Sequence, residues 1–313
     1  MSGSGFRALA PGKVNLCLLI GPVRPSDGRH ELVSLVESVS LADELTLEPA
    51  EGSAQGDEVL CPGVEEPNLA AAALAAYRAA ASWDAPPVRL RIEKRVPVAA
   101  GMGGGSGDAA AALRLAAHAA GRPGDLRLIE LAPALGADVP SQLAPGLALM
   151  TGAGERVESL APRAPHGLLI LPSPERLATA AVYREADRLG SPRGLAELDE
   201  RLAALRVALA EGEGLPPEEL LVNDLEAAAR SLCPSIAPAL DAARAAGAER
   251  ALVSGSGPTV FGLFPGAEGA EAATEAAREL AARFPGASAA TPVGPDAGAP
   301  QPRSPCSLGP RTT

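Results

Sequence analysis

"VPVAAGMGGGSGDAAAAL", residues 96–113, decides how this chain is read. A strand pattern ends at Pro97. A glycine run broken by Met102 extends from Gly101 to Gly107, and a run of alanine, the best helix former, follows. Glycines between a strand and a helix let backbone N–H groups converge with no Cβ in the way, and they accept positive φ. At a helix N-terminus those donors and the macrodipole favour an anion. The stretch therefore reads as a phosphate cradle, with a flexible connector as the plain alternative. No lysine follows the glycines, which excludes a Walker loop. No carboxylate stands at a strand end about twenty residues on, as a dinucleotide fingerprint requires.

Upstream, "VRLRIEKRV" (88–96) alternates strictly and predicts a half-buried strand, and Asn68 is placed to cap an Ala-rich helix reaching Ser82. "KVNLCLLI" (13–20) predicts a strand, and residues 32–49 two more with a bend at Ala42-Asp43. Downstream, helices are expected over about 108–120 and 126–136, with another opening at Asp138. After a Pro-punctuated connector near 160, the pattern gives a strand at 168–171 and helices near 178–189, 195–210, 217–231 and 235–246. A strand ending at Val253, a strand at 259–264 and a helix at 267–284 complete it. The expected division is 1–160, 161–290 and a Pro/Gly-rich disordered tail, 291–313.

The chain has 313 residues, 47% hydrophobic but only 2% aromatic, so Ala, Leu and Val must fill its core. A formal charge of −11 gives no general attraction to nucleic acid or anionic lipid; an anionic ligand must be held locally. No apolar stretch is long enough to span a membrane, and "MSGSGFRALAPGK" lacks the apolar segment of a secretory signal. Cys17, Cys61, Cys233 and Cys306 are scattered with no zinc spacing, so reduced thiols, a cytoplasmic setting and no protein metal site are expected.

Lys13 and Lys94 are the only lysines; every other basic side chain is arginine or histidine. A lysine retained against that bias suggests a need for a compact point charge with a tunable pKa. Asp138 in "LGADVP" is either an N-cap or a carboxylate that takes a proton from a hydroxyl. "SGSGP" (254–258) is either a tight hairpin or a close backbone approach to a ligand. His30, one of three histidines, sits in no metal-ligating cluster.

"PGKVNL", "PVAAGMGGGSGDAAAAL" and "VSGSGPTVFGLF" resemble, in order, the three motifs of the GHMP kinase superfamily. "DGRHELVSLVESVSLADELTL", "LGADVP", "GAGERVESL" and "NDLEAAA" are similar to the branch that phosphorylates 4-diphosphocytidyl-2-C-methyl-D-erythritol in the non-mevalonate route to isoprenoids. The resemblance covers about residues 8–265. It implies an α+β fold, with a ribosomal protein S5 domain 2-like N-terminal domain and a ferredoxin-like α/β sandwich behind it. It also implies ATP, Mg²⁺ carried with the nucleotide, a small-molecule partner bearing a cytidine diphosphate, and a monomer or homodimer. Lys13 and Asp138 match the catalytic pair, Asp138 as base and Lys13 as the neutralising charge. Asn68, Lys94, Pro97, Gly101, Gly103, Gly104, Gly105, Ser106 and Gly107 match nucleotide-side positions. Asn15, His30, Arg29, Thr179 and Tyr183 match the substrate side, with Tyr183 stacking on cytosine. Arg29 stands where the family usually has Tyr, Gly107 where Ser is common, and Ser141-Gln142 where Phe-Phe is favoured. The alternatives are another small-molecule kinase of the superfamily, for homoserine or mevalonate, or a nucleotide-binding paralogue without turnover.

Overall fold

The structure is a computed structural model that describes residues 5–303, apart from residue 53 and residues 65–67. Two long strands, β1 (Phe6–Val23) and β2 (His30–Pro49), pair antiparallel and form the spine of the first sheet. The expected bend at Ala42-Asp43 does not break β2; instead the strand changes neighbours there. Leu32–Glu37 pair with β5 (Leu147–Gly152), and Glu44–Pro49 pair with β4 (Val88–Glu93). β3 (Glu58–Leu60) extends the sheet beyond β4, and β6 (Arg156–Leu160) extends it beyond β5.

α1 (Leu69–Ala81) and α2 (Gly104–Ala119) cover one face of this sheet. Their contact is built from fully buried alanines, among them Ala70, Ala73, Ala109 and Ala112, which let the two axes approach closely. The strict alternation in β4 points Val88, Leu90 and Ile92 into the same layer. α3 (Arg127–Leu135) and the single turn α4 (Val139–Gln142) lead back to β5.

The second sheet has the order β10-β7-β9-β8 and is antiparallel throughout, the arrangement of a ferredoxin-like βαββαβ unit. β7 (His166–Leu171) is followed by α5 (Thr179–Leu189), α6 (Leu195–Glu211), α7 (Glu226–Leu232) and α8 (Ile236–Ala245). Then come β8 (Arg250–Val253), β9 (Val260–Pro265), α9 (Gly269–Leu280) and β10 (Ser288–Ala290). β7 and β9 read as continuous apolar runs because both faces are buried. Leu169, Leu171, Val260 and Phe264 meet α8 and α9, whereas Leu168, Ile170, Phe261 and Leu263 meet Val14, Leu16, Leu19 and Leu35 of the first sheet. The two sheets therefore share an apolar layer, and the loops at its edge are held in fixed register.

Three expectations are corrected. α2 starts at Gly104, four residues early, so Gly104 to Gly107 are helical rather than loop. The helix expected at 217–231 is a single turn at Glu218–Leu220 and then α7, because Leu221 to Asp224 leave helical geometry to engage β1: Leu18 N–H donates to Val222 O, and Asp224 N–H donates to Leu18 O. The expected disordered tail is ordered as far as Arg303. Val39 bridges to Pro292, and β11 (Gln301–Pro302) pairs with Phe6-Arg7 at the edge of the first sheet. Backbone pairing of this kind does not depend on apolar side chains, so composition could not reveal it. Cys306 and the rest of the tail lie outside the described residues. No helix among the described residues is long and apolar enough to cross a membrane.

Candidate active site

Lys13 and Asn15 are two residues apart on β1 and so share a face. Both are buried, and the Lys13 ammonium donates to Asn15 Oδ1 at 2.7 Å. Asn15 Nδ2 donates to Ser34 Oγ at 2.8 Å, and that hydroxyl donates to Cys17 O at 2.8 Å. The relay leaves one orientation for the Asn15 amide, with its oxygen toward the ammonium. On the far side of the ammonium, Asp138 Oδ2 stands 3.3 Å from Lys13 Nζ.

Asp138 occupies the N-cap position of α4, yet its side chain makes no capping hydrogen bond. Its backbone is already helical (φ −89°, ψ −12°) rather than extended, which turns the carboxylate away from the amides a cap would serve. The carboxylate is free to face Lys13 and the cavity.

Gly101 (φ +80°) and Gly103 (φ +66°) take the left-handed region, and for each the surroundings exclude a side chain. A Cβ on Gly101 would lie 2.1 Å from Ser254 O; one on Gly103 would lie 2.9 Å from Lys13 Cγ. α2 then begins with no side-chain cap, so the N–H groups of Gly104, Gly105 and Ser106 are directed at the cavity with the positive end of the helix dipole. Gly107 lies elsewhere: it is inside the helix, where a Cβ would meet Pro11 O at 3.1 Å, and it does not line the cavity. Its lack of a hydroxyl therefore answers to packing against β1.

At the other end of the loop, Lys94 is clamped between two carboxylates. Its ammonium donates to Asp43 and, at 2.7 Å, to Asp108 Oδ2. Burial alone would lower the Lys94 pKa; the two carboxylates outweigh it and hold the ammonium above its ordinary value. Asp43 is fully buried and also accepts from the amides of Arg95 (2.5 Å) and Val96 (2.8 Å), which pins the chain between β4 and the loop. Asn68 accepts from Ala70 N–H at 2.8 Å, capping α1 as expected, and lines the cavity with Pro97.

On the opposite wall, His30 Nδ1–H donates to Gly21 O at 2.8 Å, and its Nε2 stands 3.3 Å from Asp187 Oδ1. The His30 and Tyr183 rings are 5.3 Å apart, tilted by 38°. Burial, with the charge of Asp138 added, pushes the Tyr183 phenol up to about 12, so it stays neutral. Arg29, which stands where the family usually has Tyr, donates to Ala153 O at 2.5 Å, which fastens its guanidinium to the β5–β6 turn. The hydroxyls of Thr179 and Ser256 meet at 3.0 Å and link α5 to the β8–β9 loop.

That loop is "SGSGP": it is the tight turn between the paired strands β8 and β9, and its backbone presses on Lys13. Gly255 (φ +55°) would place a Cβ 3.2 Å from Lys13 Nζ. Asn223 grips the loop, its Nδ2 donating to Val253 O and Gly255 O at 2.8 Å each. Asn223, Gly255, Asp43 and Asp108 are site-building residues that the sequence reading left unassigned. The one available signal was that all four fall within quoted motifs.

Lys13, Asn15, Arg29, His30, Asn68, Lys94, Pro97, Gly101, Gly103 to Ser106, Asp138, Thr179 and Tyr183 all line one cavity of ≈ 1040 Å³. It lies between the glycine loop, α5 and the β8–β9 loop. An uncapped carboxylate, a buried ammonium and a helix N-terminus around one space can deprotonate a hydroxyl and stabilise a transferring anion.

Residues 68–146 match the family described as GHMP kinases N terminal domain, and residues 201–286 match GHMP kinases C terminal. The chain is 43% identical over 298 residues to 4-diphosphocytidyl-2-C-methyl-D-erythritol kinase of Streptomyces coelicolor, covering 92% of this chain and 96% of that protein. It is 42% identical over 302 residues to the kinase of the same name from Thermobifida fusca, covering 92% and 95%. A crystal structure of 4-(cytidine 5'-diphospho)-2C-methyl-D-erythritol kinase superposes with a TM-score of 0.72 at 38% identity, over 92% of this chain and 99% of that one. Homoserine kinase from Cytophaga hutchinsonii, at 17% identity and a TM-score of 0.67, shares the fold over 96% and 98%. The two matched domains and this level of identity over nearly the whole length show that the chain belongs to the GHMP kinases, and within them to the family of the 4-diphosphocytidyl-2-C-methyl-D-erythritol kinases.

Proposed function

We propose that this chain transfers the γ-phosphoryl group of ATP to the 2-hydroxyl of 4-diphosphocytidyl-2-C-methyl-D-erythritol, a step of the non-mevalonate route to isoprenoid precursors. The observation that carries the chemistry is the uncapped Asp138 carboxylate 3.3 Å from the Lys13 ammonium, beside the free amides of α2. Asp138 takes the hydroxyl proton as the oxygen attacks phosphorus, and ADP leaves. Lys13, steered by Asn15, supplies the compensating charge, and the amides of Gly104 to Ser106 hold the terminal phosphates. Phosphoryl transfer asks for little more than such positioning and neutralisation.

A cavity of ≈ 1040 Å³ has room for two substrates. The Asn68–Lys94–Pro97 end takes the nucleoside of ATP. The wall of His30, Tyr183 and Thr179 takes the cytidine, with Tyr183 against the base; stacking on an aromatic is worth about 1–3 kcal/mol. Mg²⁺, which neutralises the β- and γ-phosphates, enters with the triphosphate. The donor set fits such an ion: Mg²⁺ takes most of its ligands from phosphate and water and only one or two carboxylates from a protein. Asp138 and Ser106 are two oxygen-bearing side chains that line the cavity near the glycine loop and would reach such an ion, and no cluster of three metal-ligating acidic, His or Cys side chains occurs among the described residues. The free thiols of Cys17, Cys61 and Cys233 suit the cytoplasm, where ATP is abundant.

The test is ADP formation with the cytidylylated substrate, compared with the same polyol lacking cytidine, with homoserine and with mevalonate. Turnover confined to the cytidylylated compound is expected. Preference for a cytidine-free alcohol would move the chain to another kinase of the superfamily. ATP binding with no turnover of any alcohol would leave only a nucleotide-binding paralogue.

A further inference from the structure

Two arginines stand on the β1–β2 turn, and the local carboxylates serve only one of them. Arg24 donates from Nε and Nη2 to the two oxygens of Asp27, and from Nη1 to Glu155 Oε1 at 2.7 Å. Both carboxylates are further engaged by backbone: Asp27 Oδ1 takes the Arg29 N–H at 3.1 Å, and Glu155 Oε2 takes the Ala153 N–H at 2.7 Å. The Arg29 side chain is half-buried, lines the cavity and is in no ion pair among the described residues. Its one hydrogen bond, Nη2 to Ala153 O, uses one of five N–H donors. A guanidinium held at one corner, partly desolvated and without a counter-ion, is arranged to receive an anion.

The kind of anion follows from where the guanidinium stands. His30, the next residue, and Tyr183 form the wall read as the cytidine site. On its other side Arg29 is fastened to Ala153, and a Cβ on the following Gly154 would lie 3.0 Å from Ala137 O, so this turn lies against the residue preceding Asp138. Burial dominates the surroundings of the Tyr183 phenol, and the charges of Asp138 and Arg29 both reach it. A cytidylylated alcohol with its base at Tyr183 and its reacting hydroxyl at Asp138 carries its diphosphate between the two, past Arg29. The lysines of the cavity already have carboxylates, Asp138 for Lys13 and Asp43 with Asp108 for Lys94. Arg184, the other arginine of the lining, is exposed on α5. We propose that Arg29 is the counter-ion of the substrate's diphosphate, so that this chain recognises a nucleoside diphosphate ester by charge at a position where the family usually presents a tyrosine ring. The assignment rests on the reading of this wall as the cytidine site.

The experiment is calorimetric binding of CDP and of cytidine, with the nucleotide end filled by saturating Mg²⁺–ADP. Wild type is expected to bind CDP about tenfold or more tighter than cytidine, an advantage that shrinks as salt rises. Arg29→Gln keeps a donor for Ala153 O and removes the charge. It should bring the two affinities within about threefold while cytidine itself binds as in wild type, a pattern that a general loss of structure would not give. Arg29→Lys should lie between the two, and Arg184→Gln should leave the advantage in place. In turnover, Arg29→Gln should raise KM for the cytidylylated substrate by about tenfold or more with KM for ATP little changed. An advantage that persists in Arg29→Gln, or that is lost in Arg184→Gln instead, overturns the assignment and leaves the proposed reaction standing. Failure of wild type to bind either cytidine or CDP overturns both. An Arg29-dependent advantage in a protein that phosphorylates no alcohol overturns the reaction and leaves the role of Arg29 standing.

Discussion

Gly255 and Lys13 stand so close that a single methyl group on the glycine would come within 3.2 Å of the ammonium. The second sheet thus shapes the environment of a residue carried by the first. Gly255→Ala should cost about 1 kcal/mol for the left-handed backbone at φ +55° and displace Lys13 from Asn15 and Asp138. We expect kcat to fall by about 10²-fold while the melting temperature drops only a few degrees, since misplacing a reacting group is costlier to rate than to fold. Steady-state kinetics beside thermal unfolding reads both quantities.

Asp138→Asn keeps the size of the side chain and removes its basicity. Turnover is expected to fall by about 10²–10⁴-fold, the usual contribution of a general base. Affinity for ATP, measured by calorimetry, should stay within about threefold. A variant with near-normal kcat would remove Asp138 from the chemistry.

Tyr183→Ala should raise KM for the cytidylylated substrate by about tenfold or more, with KM for ATP little changed. An equal rise in both values would mean that the ring supports the cavity as a whole instead of one substrate.

His166 and Glu37 form a buried pair between β7 and β2, Nε2 to Oε2 at 2.8 Å, while His166 Nδ1 meets Ala164 O at 3.0 Å. With Glu37 ionised, both ring nitrogens face acceptors, which favours the imidazolium. Burial alone would lower its pKa, but the Glu37 carboxylate and the carbonyl outweigh that and leave it raised. A raised folded-state value contributes stability that is fully present below the unfolded value of about 6.5 and lost as pH rises through the folded one. The stability advantage of wild type over Glu37→Gln should be largest near pH 6 and shrink at alkaline pH. His166→Ala, which strands the buried carboxylate, should cost about 3–5 kcal/mol at neutral pH in urea unfolding.

The segment after Ala290 is structural. Arg114 donates to Gly298 O at 2.9 Å and to Leu9 O at 3.1 Å, and its guanidinium also reaches Gln142 O. Truncation after Ala290 removes one of those acceptors together with the Val39–Pro292 and β1–β11 pairings. A loss of several degrees in melting temperature is expected, with KM values close to wild type.

Much of this was legible in the residues. Periodicity located β4, α1 and the buried strands β7 and β9, and motif order brought Lys13, Lys94, Asp138 and the glycine loop to one place. What stayed hidden depends on contacts distant in sequence. Gly104 to Gly107 are poor helix formers locally, yet they are helical because α2 is locked against β1 and α1. Leu221 to Asp224 lie inside the expected helix, but their backbone groups are used by Leu18. Asp43 looked like a bend residue; its carboxylate organises Lys94 and the chain after β4. Each of these is a tertiary partner overriding a local preference, which no window along the chain can display.

The pairing of Phe6 with Pro302 brings the first and last described strands to neighbouring positions on one sheet edge. A few added residues could join them, and the chain could then be opened elsewhere, for instance in the exposed turn around Gly212 to Gly214, which does not line the cavity. Such a rearranged polypeptide would test whether the order in which these elements emerge matters at all, or whether the shared apolar layer alone brings the ammonium and the carboxylate together.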